Sequence, residues 1–440
     1  MPKGKKTKSS HVPYTFIRSE TQLFQEPHYD VSLVSTHSSE HYPVTSISDQ
    51  MSPLEFFLQS NDTQFIDLSE TKLFIKAKIL KATGANLEAT EYIGTANNFL
   101  HTMFQQASIY LNEVLVTPAS NQYAYRSYLD TLLSYNREFK KSQAQCALYF
   151  REKDPANTSH TVVDGFKDRL DLTKGSAVFE MVGRPFCDLF MQNKYLIPGI
   201  DVRISFLRSS PAFCLLTGGD TTGIVKITEA KLLVKKHTLL PSLLTSTLQS
   251  MHAGNPATYP MKRVEVKTYS MAVGTVTDVN DSILTGLLPD RIVLGLVSSK
   301  AYSGDMKKNP FEFQDFGLAR ADVAVNGDTT AYLPFQLDFS ANQYIQLYNN
   351  LFEGLGVSNE DVGLDITRES FKKHPLLVYN LRHIRDGFAP PKYGSVKIDL
   401  NFKTALTEAV TLVIYAEYQS VLYIDKSKNA YFKDFSNTSI

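Results

Sequence analysis

The residues of this chain whose types and spacing could do chemistry are few. Asp164, Asp168 and Asp171 stand close together, and clustered carboxylates are what calcium coordination or general acid–base catalysis requires. Calcium loops place their oxygen ligands at tighter, regular spacing, and here Lys167 and Arg169 alternate with the acids. The stretch is therefore expected to be a solvated, self-neutralising loop. His37 and His41 lie four apart, but in a segment rich in Ser and Thr where no rigid metal cage is expected. Arg382, His383 and Arg385, ahead of Asp386-Gly387 and Pro390-Pro391, form either a polyanion contact or a basic loop rim. The patterns GxSxG, HExxH, the Walker A loop and GxGxxG do not occur. Gly354-Leu355-Gly356 follows an amphipathic run instead of opening one, so it reads as a helix stop. Cys146, Cys187 and Cys214 show no CxxC spacing, which argues against a disulfide framework and a zinc site. One basic cluster remains: Lys3, Lys5, Lys6 and Lys8 are a candidate nucleic-acid contact or nuclear import signal, or else a solvated tail. No cofactor is expected.

The elements that would have to position such residues point to β structure. Of the 440 residues 43% are hydrophobic, and the aromatic share is 27 Phe and 23 Tyr with no Trp, a composition that favours pleated, half-buried surfaces. Lys+Arg and Asp+Glu balance at 45 each. Zero net charge argues against a dedicated nucleic-acid-binding domain and favours self-association. No run of about 18 apolar residues is present to span a membrane, and no N-terminal stretch resembles a signal peptide. A reducing compartment is expected, so the sequons at Asn61, Asn157, Asn280 and Asn437 carry little weight.

Five segments follow from composition and periodicity: a flexible basic N-terminal arm (1–50), a first β domain (51–240), a linker (241–258), a second β domain (259–426) and a C-terminal tail (427–440). Leu73, Ile75, Ala77 and Ile79 alternate with Phe74, Lys76 and Lys78, the period of two of a half-buried strand. Strands are also expected at 108–111, 177–182, 202–207, 225–235, 322–325, 396–402 and 411–424. Turns are expected at Asn112-Glu113 and Asn326-Gly327. Two helices, near 121–135 and 341–353, carry apolar stripes at i, i+3, i+4, i+7 and i+8: Tyr125, Tyr128, Leu129, Leu132 and Leu133, then Tyr344, Leu347, Tyr348, Leu351 and Phe352. These stripes read as core or interface packing in preference to a ligand-binding aromatic cage. Leu243, Leu244 and Leu248 predict a short helix in the linker.

The two halves echo each other. Asn121-Gln122-Tyr123 returns as Asn342-Gln343-Tyr344, Val202-Arg203-Ile204 as Val396-Lys397-Ile398, and Thr228-Glu229-Ala230 as Thr407-Glu408-Ala409. The offset shrinks from 221 residues to 194 and then 179, as expected of a duplicated β domain whose loops have drifted in length.

Longer landmarks carry a family likeness. They are Phe65-Ile66-Asp67-Leu68-Ser69-Glu70-Thr71-Lys72-Leu73, Asn97-Asn98-Phe99-Leu100-His101-Thr102-Met103-Phe104, and Tyr123-Ala124-Tyr125-Arg126-Ser127-Tyr128-Leu129-Asp130. Lys308-Asn309-Pro310-Phe311 and Ile414-Tyr415-Ala416-Glu417-Tyr418 complete the set. From about residue 50 to 425 the chain resembles the hexon-type major capsid protein of the Polinton/Maverick and adintovirus group. That resemblance implies an all-β chain of two tandem eight-stranded jelly rolls, with short helices in the inter-strand loops. It also implies homotrimeric capsomers of pseudo-hexagonal outline that tile an icosahedral DNA-virus shell, assembled in the host cell nucleus and part of the virion capsid. The implied partners are the chain itself, neighbouring trimers and a minor or vertex capsid protein, with weak genome contact through the N-terminal arm and no membrane span. No catalytic residues carry over. The outer loops are shorter than those of larger relatives, so a receptor-binding role does not transfer. The alternatives are a minor vertex capsid protein, which needs a single roll, and a non-viral jelly-roll carbohydrate-binding or cupin-like protein, which needs a concave polar site.

Overall fold

A computed structural model describes residues 32–47, 52–118, 120–328, 334–361, 363–381 and 390–433. In the first half the strands are β1 (Leu33–His41), β2 (Leu54–Leu58), β3 (Gln64–Lys81), β4 (Ile93–Thr95), β5 (Phe104–Leu111), β6 (Val114–Leu115), β7 (Phe179–Gly183), β8 (Val202–Arg208), β9 (Leu215–Thr217) and β10 (Gly223–Leu239). The second half contributes β11 (Ala257–Met271), β12 (Thr277–Leu287), β13 (Arg291–Ser298), β14 (Leu318–Val325), β15 (Phe335–Gln336), β16 (Leu377–Asn380), β17 (Tyr393–Phe402), β18 (Val410–Ile424) and β19 (Ala430–Phe432).

Period-two patterning forms these strands. Along β3, Leu73, Ile75, Ala77 and Ile79 are fully buried, while Lys76 and Lys78 between them reach solvent. Asn112 and Glu113 have positive φ at the β5–β6 turn, and Asn326 and Gly327 do the same at the end of β14.

Strand order makes the duplication explicit. Two antiparallel four-stranded sheets, β1-β10-β3-β7 and β2-β8-β5-β6, face each other in the first half. The second half repeats them in the same chain order as β11-β18-β13-β16 and β12-β17-β14-β15. Each half is therefore an eight-stranded jelly roll. The additions are the β4–β9 ribbon in the first half and β19 on the edge of β18 in the second.

The expected helices form at Tyr123–Ser134 and Ile345–Leu355, at matching places: between β6 and β7, and between β15 and β16. Gly356, at φ +77°, stops the second of them. The short helix expected around Leu243, Leu244 and Leu248 forms as Pro241–His252.

Three expectations need correction. Residues 33–41 do not belong to an arm, because β1 pairs along its whole length with β10. Its Ser, Thr and His composition hid it: both faces are largely exposed, so no apolar alternation marks it. The linker is shorter than expected, since β11 begins at Ala257. The C-terminal tail is structured at Ala430–Phe432, where Ala430 is buried beside Ile424.

Two hydrophobic cores result, and they exchange residues. Tyr259, Met261, Leu422, Ile424 and Ala430 of the second half fill the first core. In return, Tyr125, Tyr128, Leu129, Leu133, Phe166 and Leu170 of the first half fill the second.

Candidate assembly interface

The chemistry-bearing side chains gather at the seam between the rolls. Its central element is the helix Tyr123–Ser134, in which only Leu132 and Ser134 escape full burial. A helix apolar on one side only would leave its other side to water, so burial all round means that it is gripped by two bodies. The Tyr128 ring lies flat on Phe311, with centroids 4.2 Å apart and 5° between planes. Tyr125 meets the same ring edge-on at 5.5 Å, and its hydroxyl donates to the Pro310 carbonyl at 3.0 Å. The loop between β13 and β14 thus supplies the anchor that the Tyr stripe holds.

Charge is buried on the same helix. Arg126 donates to Asp188 Oδ1 at 2.6 Å and pairs with Asp130 one turn on at 3.6 Å. Asp188 Oδ1 also accepts from the Val264 amide of β11 at 3.1 Å. Asp130 accepts from the Tyr415 hydroxyl of β18 at 2.5 Å. Burial pushes the Asp130 carboxyl up to about 6, against the pull of Arg126. These bonds run from the first roll into β11 and β18 of the second, and they satisfy groups that burial would otherwise penalise.

A second buried pair lies nearby. The stretch expected to be a solvated loop is the helix Gly165–Thr173, capped by Asp164, whose Oδ1 accepts from the Gly165 amide at 2.8 Å. Arg169 falls on its inner face with Phe166 and Leu170 and is fully buried. It donates to Glu152 Oε1 at 2.5 Å and to the Thr95 carbonyl at 2.9 Å. Only Lys167, Asp168 and Asp171 form the solvated, self-neutralising face that the sequence suggests. The helix exists because Phe166, Arg169 and Leu170 make one stripe at i, i+3 and i+4, which the charges on either side obscure.

The remaining candidates do not converge. Lys3, Lys5, Lys6 and Lys8 lie outside the described residues, as do Arg382, His383, Arg385, Asp386 and Gly387. His37 and His41 stand on β1 and bond separately to Ser35 and Ser39, at 3.1 and 3.0 Å. Among the described residues, no group of three or more His, Cys, Asp or Glu side chains could hold a metal ion. Burial pushes the Cys187 and Cys214 thiols up to about 12, where the nucleophilic thiolate is scarce. His101, fully buried against Tyr123 at 2.9 Å, is held down to about 3 by burial and stays neutral. A cavity at the seam beside Tyr128, Glu152, Asp365 and His374 encloses about 50 Å³, too little for anything larger than water. A wider hollow of about 530 Å³ opens between Thr217–Thr222 and the segment from Lys300 to Lys307, with the Asp220–Lys307 pair at its rim. No described helix is long and apolar enough to cross a membrane. What the site can do is join β domains.

Sequence patterning missed Phe311, the Arg126–Asp188 bridge and Arg169–Glu152. Only Arg126 and Asp130, charges spaced i, i+4 beside an apolar stripe, left a local signal.

Comparison with known proteins bears on the fold. No protein-family model matches the chain. An uncharacterized protein of Caenorhabditis elegans is 25% identical over 393 residues, covering 86% of this chain and 92% of that protein. A chain of the Sputnik virophage superimposes with a TM-score of 0.61 at 12% identity, over 97% of this chain and 95% of that one. The Faustovirus major capsid protein gives 0.57 at 9% identity, over 91% and 92%. The mavirus major capsid protein gives 0.52 at 11% identity, over 98% and 96%. These likenesses span both halves, so the double jelly roll expected from the sequence is the fold of this chain.

Proposed function

We propose that the chain is a major capsid protein whose homotrimers form the pseudo-hexagonal capsomers of an icosahedral DNA-virus shell. One observation carries the reading: two rolls of identical strand order are locked side by side by a buried seam. Three copies of such a chain present six similar blocks around a threefold axis, which is how a trimer imitates a hexagon. Full-length likeness in fold to the mavirus and Faustovirus major capsid proteins supports the same assignment. The contacts between copies are head-to-tail, and a head-to-tail contact that closes makes a ring. Obligate contacts of this kind bury roughly 2,000–5,000 Å².

The function is structural and not enzymatic; the scattered titratable groups and the buried thiols of Cys187 and Cys214 support that reading. A vertex protein would need a single roll, whereas this chain has two. A carbohydrate-binding jelly roll would need a concave polar site with calcium or histidine ligands, and among the described residues the hollow between Thr217–Thr222 and Lys300–Lys307 carries no such cluster. Beyond itself, the chain would contact neighbouring trimers and a minor capsid protein at the vertices, in a particle assembled in the host nucleus. Lys3, Lys5, Lys6 and Lys8 would touch the packaged genome.

Native mass spectrometry and negative-stain imaging of the purified chain test the assignment. Trimers of pseudo-hexagonal outline are expected; a monomer that persists at high concentration would refute it. Removing residues 1–31, which leaves β1 intact, is expected to reduce shell formation while trimers persist.

A further inference from the structure

Within the chain, the second roll presents the first half of β11 to the first roll. That half pairs with the end of β18, Ala257 opposite Ile424 and Val264 opposite Glu417. Its outer side is taken up by the connection between β7 and β8. Lys194 Nζ donates to the Thr258 carbonyl at 2.9 Å, the Ile197 amide to the Tyr259 hydroxyl at 3.1 Å, and the Val264 amide to Asp188 at 3.1 Å. Tyr259 and Met261 are buried in the first core as a result.

β1 occupies the same place in the first roll. It pairs with the end of β10, Leu33 opposite Leu239 and His41 opposite Leu232. Among the described residues, nothing covers it as the first roll covers β11. Six of its nine residues are exposed, on both faces, and Val34 is 58% exposed. Tyr42 and Val44 continue the patch at 60% and 65%. An edge strand left open on this scale invites pairing or docking.

We propose that β1 is the surface on which a second copy of this chain docks, through the side of that copy's second roll that bears the helix Ile345–Leu355. The proposal rests on the trimeric reading above and specifies its contact. The repeat supplies the argument. In the first roll the helix between β6 and β7 lies on the side that receives β11; the helix Ile345–Leu355 holds the matching position in the second roll. Unlike its counterpart it is buried on one face only, through Leu347, Leu351 and Gly354. Ile345, Gln346, Asn349 and Glu353 face outward, and Ile345 is 45% exposed. Charge adds to the match at one position: Lys236 on β10 lies beside β1, Lys231 and Lys235 being paired with Glu40 and Glu70 within the chain, and exposed Glu353, Glu360 and Asp361 lie on or just beyond the helix. Each copy thus offers one open strand and one open helix, on opposite flanks, and three copies close the ring.

The test introduces Val34→Arg together with Ser38→Arg into the full chain, with Val163→Arg as a control at an exposed position off β1. Sedimentation over a concentration series is expected to show the trimer weakened by at least about tenfold, with far-ultraviolet circular dichroism unchanged and the control unaffected. Trimers of undiminished stability in the double variant would overturn the proposal while leaving the trimeric reading intact. A wild-type chain that never trimerises would sink that reading itself. Should the double variant misfold, hydrogen exchange on the wild-type chain decides. Amides of residues 33–41 are expected to slow on going from dilute monomer to trimer. Equal exchange in both states overturns the proposal, as does protection already present in the monomer and lost on removing residues 1–31.

Discussion

The Tyr415 hydroxyl donates to Asp130 Oδ1 at 2.5 Å, tying β18 to the helix Tyr123–Ser134 across 285 residues of sequence. Both groups are buried, so this bond joins the two rolls in a region that water does not reach.

It also makes the seam sensitive to pH. Burial raises the Asp130 carboxyl from its ordinary value to about 6, so between roughly pH 4 and 6 the native chain holds a proton that the unfolded chain has released. The stabilisation from that proton is present at low pH and fades as pH rises through about 6. Glu312, raised by burial to about 7, acts in the same direction. Comparing urea midpoints at pH 4.5 and 8 for wild type and Asp130→Asn is expected to show a drop with pH that the variant reduces. An identical drop in both would exclude Asp130 as its source.

Phe311 anchors Tyr125, Tyr128 and Phe213 at once. Phe311→Ala is expected to cost about 3–5 kcal/mol and to split a single unfolding transition into two, one for each roll. Calorimetry reads this directly, and one unshifted transition would refute it.

Arg169 and Glu152 form a closed pair, both nearly inaccessible. Arg169→Met alone leaves Glu152 buried and uncompensated, at a cost of roughly 3–5 kcal/mol. Adding Glu152→Leu is expected to recover much of the loss, since the pair contributes less than its broken half costs. Chemical denaturation of the single and double variants tests this ordering, which would fail if the double variant were the weaker.

Gly295 on β13 lies under the Phe313 ring. A Cβ there would come within 2.5 Å of Phe313 Cδ1 and 2.9 Å of Leu376 Cδ2. Gly295→Ala is expected to destabilise by about 1–3 kcal/mol through overpacking, read as a lowered Tm. No change in Tm would show that Phe313 can swing aside.

Much of the fold was legible because its determinants are local. The alternation of Leu73, Ile75, Ala77 and Ile79 names a buried face without reference to any other strand, and the stripe from Tyr125 to Leu133 names a helix. The shrinking offset between the halves has a plain cause: the connection from β6 to β7 spans 116–178, whereas that from β15 to β16 spans only 337–376. One echo misled. Thr228-Glu229-Ala230 sits within β10, whereas Thr407-Glu408-Ala409 precedes β18, so the two triplets do not occupy equivalent positions. The seam was the least legible part. Arg169 is buried because Glu152 reaches it from another segment, and Asp130 because Tyr415 arrives from the far end of the chain. Neither partner leaves a mark in the sequence around the residue it satisfies.

The exchange of core residues also governs the timing of synthesis. Leu422, Ile424 and Ala430 complete the core of the first roll although they are made only after the whole of that roll and most of the second. The first roll must therefore wait, its apolar interior unfinished, until β18 and β19 have been made. A prematurely terminated chain lacks the plug for a roll it has otherwise fully encoded, so truncated products cannot pass as sound building blocks.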